Sequence, residues 1–325
     1  MAAPPHVRQI SQNPAPAGFF HMKILLAALD NLGDTVLAVP VYLALRRITG
    51  AEISLWTKDY SSGLAPLIDG SPEIFNCDPF WDSAPCRAKG SLRLFLSALG
   101  GIRAAGFDSA VILRANWRKN LSCAFAGIPE RWAAGGAFRT RVLPRQAAGE
   151  HILDSYRAAV TEITGTDPGE LRCSLKRPAV VSPGLRAAVH PFSGNAARNL
   201  PPAAWLETIS GLRARGFEVT VIASPEEKAS FPPGAEAVFS CDIAPDLSGL
   251  ASIISAASLF IGHDSGPLHM AAALGTPSVG IIQDLKIPVI GPRGSGPLEL
   301  AVFSKAPAEL GAAQILAAAG RLPGP

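Results

Sequence analysis

Charge is scarce in this sequence: 17% of its residues are Asp, Glu, Lys or Arg while 48% are hydrophobic. That balance excludes the highly charged, weakly hydrophobic composition that keeps a chain unfolded. Cysteine is scarce as well. The five cysteines, at 77, 86, 123, 173 and 241, form no CxxC pair and no Cys/His cluster, which fits neither a zinc site nor a disulfide framework and points to buried, reduced thiols. Long apolar runs are missing too. A spanning helix needs about 18 uninterrupted apolar residues, and the longest candidates are broken by Asp34, Gly275 or Pro277. Gly and Pro, 31 and 29 residues, stay below the level of low-complexity sequence. Residues 1–21 lack the apolar segment of a secretory signal, so an irregular N-terminal extension and a cytoplasmic location are expected.

What is present is length and periodicity. The 325 residues suit two domains of roughly 150 residues each. From Lys23 onward, short apolar runs alternate with amphipathic stretches, the pattern of parallel strands and crossover helices. Strands are expected at 23–29, 53–57 and 109–113, with helices over 35–48, 91–104 and 116–126. The Pro- and Gly-bearing stretch 167–186 interrupts the alternation. It then restarts with strands at 187–190, 218–224, 259–264 and 278–282 and a helix at 202–215. The expected fold class is α/β: two Rossmann-like domains facing a cleft, covering 22–175 and 176–325.

In such sheets ligands collect beyond the carboxyl ends of the strands, and three strand-to-helix turns carry suitable chemistry. Asp30-Asn31-Leu32-Gly33-Asp34 follows the first strand: Gly33 permits close backbone approach, and Asp34 is either a helix cap or a carboxylate at the mouth. Asp264-Ser265-Gly266-Pro267-Leu268-His269 makes either an anion-binding helix start or a well-capped helix with a core histidine. His190 to Arg198 is either an ordinary loop or a phosphate cradle, with small polar Ser193, Gly194 and Asn195 and a bidentate donor in Arg198. Positive charge is concentrated in residues 87–145, where eleven Lys or Arg face only Asp108 and Glu130, a net of +9. The aromatics there form no RNA-binding signature, so an anionic membrane or phosphorylated substrate is expected in place of nucleic acid.

Four segments together are similar to the heptosyltransferase family: KILLAALDNLGDTVLAVPVYLALRR, LSCAFAGIPER, HPFSGNAARNLPPAAWLETISGLRARGFEVTVIASPEE and DLSGLASIISAASLFIGHDSGPLHMAAALGTPSVGI. The resemblance implies the GT-B architecture and inverting sugar transfer, with heptose moving from an ADP-heptose donor to a lipopolysaccharide core or related anionic glycan. It implies Asp34 as general base, with Asn31 and Gly33 on the approach for acceptor and phosphate. Donor binding falls to Ser193, Arg198, Glu226, Asp264, Ser265, Gly266 and His269. It implies no metal and no cofactor beyond the nucleotide-sugar co-substrate, and peripheral contact with the inner membrane. The chain departs from the family at Arg198, where Lys is usual, at Leu200, where Trp is usual, and at Gln283 to Pro288, where relatives read Gly-Pro-Thr-Asp-Pro. The last departure keeps open a non-catalytic nucleotide-sugar or glycan-binding relative, and a nucleotide-sugar epimerase stays open because some epimerases share the two-domain plan.

Overall fold

The computed structural model describes residues 22–82, 90–179, 184–224, 227, 240–242 and 246–322. Its first half holds strands β1 (Lys23–Ala28), β2 (Glu52–Thr57), β3 (Ile74–Asn76), β4 (Ser109–Ile112), β5 (Glu130–Ala133) and β6 (Arg141–Val142). Its second half holds β7 (Arg186–His190), β8 (Glu218–Ile222), β9 (Ser240–Asp242), β10 (Leu259–His263), β11 (Ser278–Gln283) and β12 (Leu298–Phe303). Each half is one parallel sheet of the same order: β3-β2-β1-β4-β5-β6 and β9-β8-β7-β10-β11-β12. The order reverses between β1 and β4 in one sheet and between β7 and β10 in the other. Crevices open at such reversals, so the two are the places to look for a ligand.

The helices are α1 (Leu32–Thr49), α2 (Leu92–Ala105), α3 (Trp117–Phe125), α4 (Ile152–Thr164), α5 (Pro202–Ala214), α6 (Leu247–Ala256), α7 (Gly266–Ala273), α8 (Ile287–Ile290) and α9 (Ala312–Arg321). Twelve of the eighteen residues of α1 are buried, because the helix lies between its own sheet and α7 of the other lobe. One apolar cluster therefore runs from Ile24, Leu26 and Val36 through to Phe260, Leu268 and Met270, and the lobes share a core rather than meeting only at a linker. The connecting residues are tied down as well. Cys173 donates its N–H to Arg293 O at 2.8 Å and Leu175 to Ala273 O at 2.9 Å.

Cys77, Cys123 and Cys173 are buried and unpaired, and burial pushes their thiols up to about 11, 12 and 12. Cys86 and the Cys241 side chain lie outside the described residues. Among the described residues no helix is long and apolar enough to cross a membrane.

Candidate active site

The turn after β1 sets the first-lobe side of the cleft. Helix α1 begins at Leu32, so Asn31 is its N-cap and Asp34 its third residue. Asp34 is thus not the cap itself; its Oδ2 accepts the Asn31 N–H at 3.2 Å from within the first turn. Its Oδ1 accepts from Arg114 Nη1 at 2.9 Å. Each carboxylate oxygen has one protein donor and keeps a lone pair for another partner. Arg114 stands at the end of β4 with a left-handed backbone, φ 45°, a conformation uncommon for a residue with a side chain. Burial works against its charge, but Asp34 and Asp30 outweigh it and hold the guanidinium above its usual range. Nearby, Lys119 is only 3% exposed and reaches Asp30 Oδ2 at 2.6 Å.

On the opposite lobe Asp264 follows β10 directly, and Ser265 stands at the N-cap position of α7 without a side-chain cap bond. The Asp264 carboxylate, 11% exposed, has His269 Nε2 and Lys286 Nζ each at 3.7 Å. Burial raises its pKa, but His269, Lys286 and Arg198 together bring it below the ordinary aspartate value. The helix start offers fewer amides than its position suggests. Pro267 has no N–H, and the Leu268 amide returns to Ser265 O at 3.1 Å, which leaves at most the Gly266 amide among the first three. The Ser265 hydroxyl donates to His263 O at 3.0 Å and lies 3.4 Å from His190 Nδ1.

These two turns close on one cavity of about 450 Å³. Asn31, Gly33, Asp34 and Arg114 line it from the first lobe. Asn195, Arg198, Asp264, Gly266, His269 and Lys286 line it from the second, with Ser265 beside them. Ser193 is not among the lining residues. Its hydroxyl is engaged within its own loop, 2.8 Å from Asn195 O and 2.9 Å from Asn199 Oδ1. Leu200 is buried in the second-lobe core and gives its N–H to His263 Nε2 at 3.1 Å.

Two further cavities flank this one. A space of about 560 Å³ lies beside the ends of β7 and β8, between Tyr60 and Gly63 of the first lobe and His190, Ser224, Glu227 and Asp246 of the second. Glu227 Oε2 sits 3.6 Å from His190 Nε2. Burial raises the Glu227 pKa, yet His190 and Ser224 bring it below the usual glutamate range. Glu226 lies outside the described residues. The third space, about 750 Å³, is bounded by Tyr156, Arg145 and Gln146 on one side and Leu285 and Val289 on the other. It shares Arg114, Lys286 and Ile290 with the central cavity.

The family model for glycosyltransferase family 9 (heptosyltransferase) matches residues 102–285, more than half of the chain and most of the cleft. The chain belongs to glycosyltransferase family 9. No curated protein sequence matches it. Its fold is that of a family 9 glycosyl transferase from Veillonella parvula: TM-score 0.75, 15% identity, covering 92% of this chain and 96% of that one. It is also that of E. coli ADP-heptose lipopolysaccharide heptosyltransferase II, at 0.71, 18%, 92% and 98%. E. coli heptosyltransferase WaaC with ADP gives 0.74, 15%, 91% and 98%. The two parallel sheets are therefore a GT-B fold, and the protein is a glycosyltransferase of the heptosyltransferase family.

Three residues that line these cavities escape a reading of the motifs alone: Arg114, Lys286 and Glu227. Arg114 ends the apolar run Ala110–Leu113, a place where site residues gather, and that position was the available signal. Lys286 belongs to none of the three strand-to-helix turns whose residues suggest chemistry. Glu227 follows Glu226 directly, and choosing between adjacent acids requires the turn geometry after β8.

Proposed function

We propose that this chain is an inverting glycosyltransferase that moves a sugar, heptose by kinship, from an ADP-linked donor to an anionic glycan acceptor, with Asp34 as general base. The observation that carries the reading is the shared cavity: a carboxylate from the first lobe and a cationic cradle from the second line the same 450 Å³ space. The nucleoside belongs in the adjoining cavity, where Glu227 is suited to accept from ribose hydroxyls, and the diphosphate lies along Arg198, Gly266 and His269. E. coli WaaC was solved with ADP, which supports a nucleoside diphosphate here.

The reaction is a single displacement. An acceptor hydroxyl enters from the 750 Å³ cavity, loses its proton to Asp34, and its oxygen bonds to the anomeric carbon. The bond from that carbon to the diphosphate oxygen breaks on the opposite face, and the nucleoside diphosphate leaves with the electron pair. Arg114 fixes the Asp34 carboxylate, and the cations around Asp264 offset the charge that develops on the leaving group. Because those cations take the place that a divalent ion fills elsewhere, the transfer is assigned as metal-independent.

Acceptor chemistry follows from Arg114 and Arg145 on the third cavity, which favour an acidic sugar or a phosphorylated glycan such as a lipopolysaccharide core. The surface supports contact with an anionic membrane. Leu92, Leu94 and Leu96 of α2 are 52%, 63% and 56% exposed, Phe125 at the end of α3 is 66% exposed, and Arg93 and Arg103 stand among them. Apolar side chains that enter a headgroup layer beside basic ones suit the cytoplasmic face of an inner membrane.

The test is a thermal-shift screen of nucleoside diphosphates and nucleotide sugars, followed by donor-release assays with and without glycolipid acceptors. Acceptor-dependent release of ADP supports transfer. Donor binding without release across the panel identifies a non-catalytic relative, and conversion of the donor without acceptor identifies an epimerase.

A further inference from the structure

We propose that Lys286, at the turn that follows β11, is a ligand of the donor's terminal phosphoryl group. The inference rests on the nucleotide-sugar reading above and assigns Lys286, one of the cations around Asp264, to one phosphoryl group of the donor. Lys286 closes a short 3-10 turn, Asp284–Lys286, that follows β11 directly. That turn is anchored from outside the cleft. Asp284 Oδ2 accepts the Ser304 hydroxyl at 2.8 Å, and Gln283 Nε2 donates to Ser304 O at 3.1 Å. The sequence continues into Pro288 of α8, whose ring restricts the exit. The turn is thereby held from both sides, and it presents the Lys286 side chain inward, 26% exposed.

Three features make its ammonium a phosphate ligand rather than a surface charge. Its nearest anion is Asp264, itself at the cradle, at 3.7 Å, longer than a good charge-assisted hydrogen bond. Its other charged neighbours are cations: Arg198 and Arg114 both disfavour its charge, and burial does so more strongly, so its pKa lies below the ordinary lysine value. An incoming diphosphate relieves that crowding. The third feature is the poverty of the α7 start, where Pro267 and the Leu268 amide leave little backbone to hold a phosphate and side-chain cations must do it. Lys286 also lines both the central and the 750 Å³ cavity, so it stands where the leaving group and the incoming acceptor meet.

The test is calorimetric titration of ADP and AMP into wild type, Lys286→Met and Lys286→Arg, with melting curves to confirm the fold. A charged hydrogen bond to the terminal phosphoryl group predicts that Lys286→Met weakens ADP about ten- to hundredfold and AMP less than about twofold. Lys286→Arg restores part of the loss. Lys286 has a competing role in screening Asp264, and Asp264→Asn in the Lys286→Met background separates the two. ADP affinity that stays weak in the double variant supports direct contact, and affinity that returns to the Asp264→Asn level overturns it. ADP binding by Lys286→Met equal to that of wild type also overturns it, with the nucleotide-sugar reading intact. Wild type that binds neither nucleotide removes both.

Discussion

Gly33 of the first lobe lies directly against His269 of the second: a Cβ added at Gly33 would come within 3.0 Å of the His269 Cδ2 atom. The reciprocal contact is tighter, since a Cβ at Gly266 would sit 2.8 Å from Cβ, Cγ and Cδ2 of Leu32. The starts of α1 and α7 thus touch through two glycines, and this contact brings Asp34 and Asp264 to one cavity.

Substitution at these glycines should open the cleft in graded fashion. Gly266→Ala meets three atoms of Leu32 below normal contact distance and is expected to lower the melting temperature and turnover together. Gly33→Ala meets one imidazole carbon and should do less of both. Leu32→Ala removes Cγ and Cδ2 but keeps Cβ, so it should rescue Gly266→Ala only in part, as a double-mutant cycle will read.

The pair Lys119–Asp30 predicts an asymmetry. Removing Asp30 strands an ammonium that is 3% exposed and whose other partners, among the described residues, are the carbonyls of Leu113 and Arg114. Asp30→Ala should therefore cost about 3 kcal/mol in chemical denaturation, the low end for a broken buried pair. Lys119→Met should cost less, because the Asp30 side chain is 27% exposed and water can take over.

Acid sensitivity should trace to His263. Burial, aided by His190 and opposed by Asp264, pushes its pKa down to about 3, and its Nε2 must stay unprotonated to accept the Leu200 N–H. The unfolded histidine titrates near 6.5, so between about pH 6.5 and 3 the unfolded chain binds a proton that the folded one refuses. Stability is full above that window and falls as pH drops through it, at up to roughly 1.4 kcal/mol per pH unit. His263→Gln keeps an acceptor without the titration, and its stability against pH should be shallower by that amount; equal slopes would contradict the assignment.

Membrane contact, if it uses α2, should weaken with added salt and with Leu92→Ser/Leu96→Ser. Cosedimentation with anionic and neutral vesicles reads both effects.

Much of this was legible in the chain because the site sits on strand-to-helix turns, and turns announce themselves through Gly, Pro, Asp and Ser. The strands at 23–28, 109–112, 186–190 and 259–263 fall within a residue or so of the expected runs. Helix α4 was not read, although Ile152, Tyr156, Val160 and Ile163 follow helical spacing. Strands β3, β6 and β9 have only two or three residues, too few for a period. Arg114 illustrates the deeper limit. Its separation of 80 residues from Asp34 is invisible to local pattern, and within the +9 window it looked like one charge among eleven. Four of the eleven also hold the fold: Arg131 and Arg139 donate to backbone carbonyls, and Lys119 and Arg114 pair with acids of the β1 turn.

The general-base role of Asp34 is tested most directly by Asp34→Asn, which is nearly isosteric and removes the base while its one amide oxygen keeps an acceptor for either the Asn31 N–H or Arg114, not both. Donor affinity by titration and acceptor-dependent turnover should be measured on the same preparation. The account predicts donor affinity within about twofold of wild type and turnover lower by about 10²- to 10⁴-fold. Turnover at the wild-type rate would contradict it.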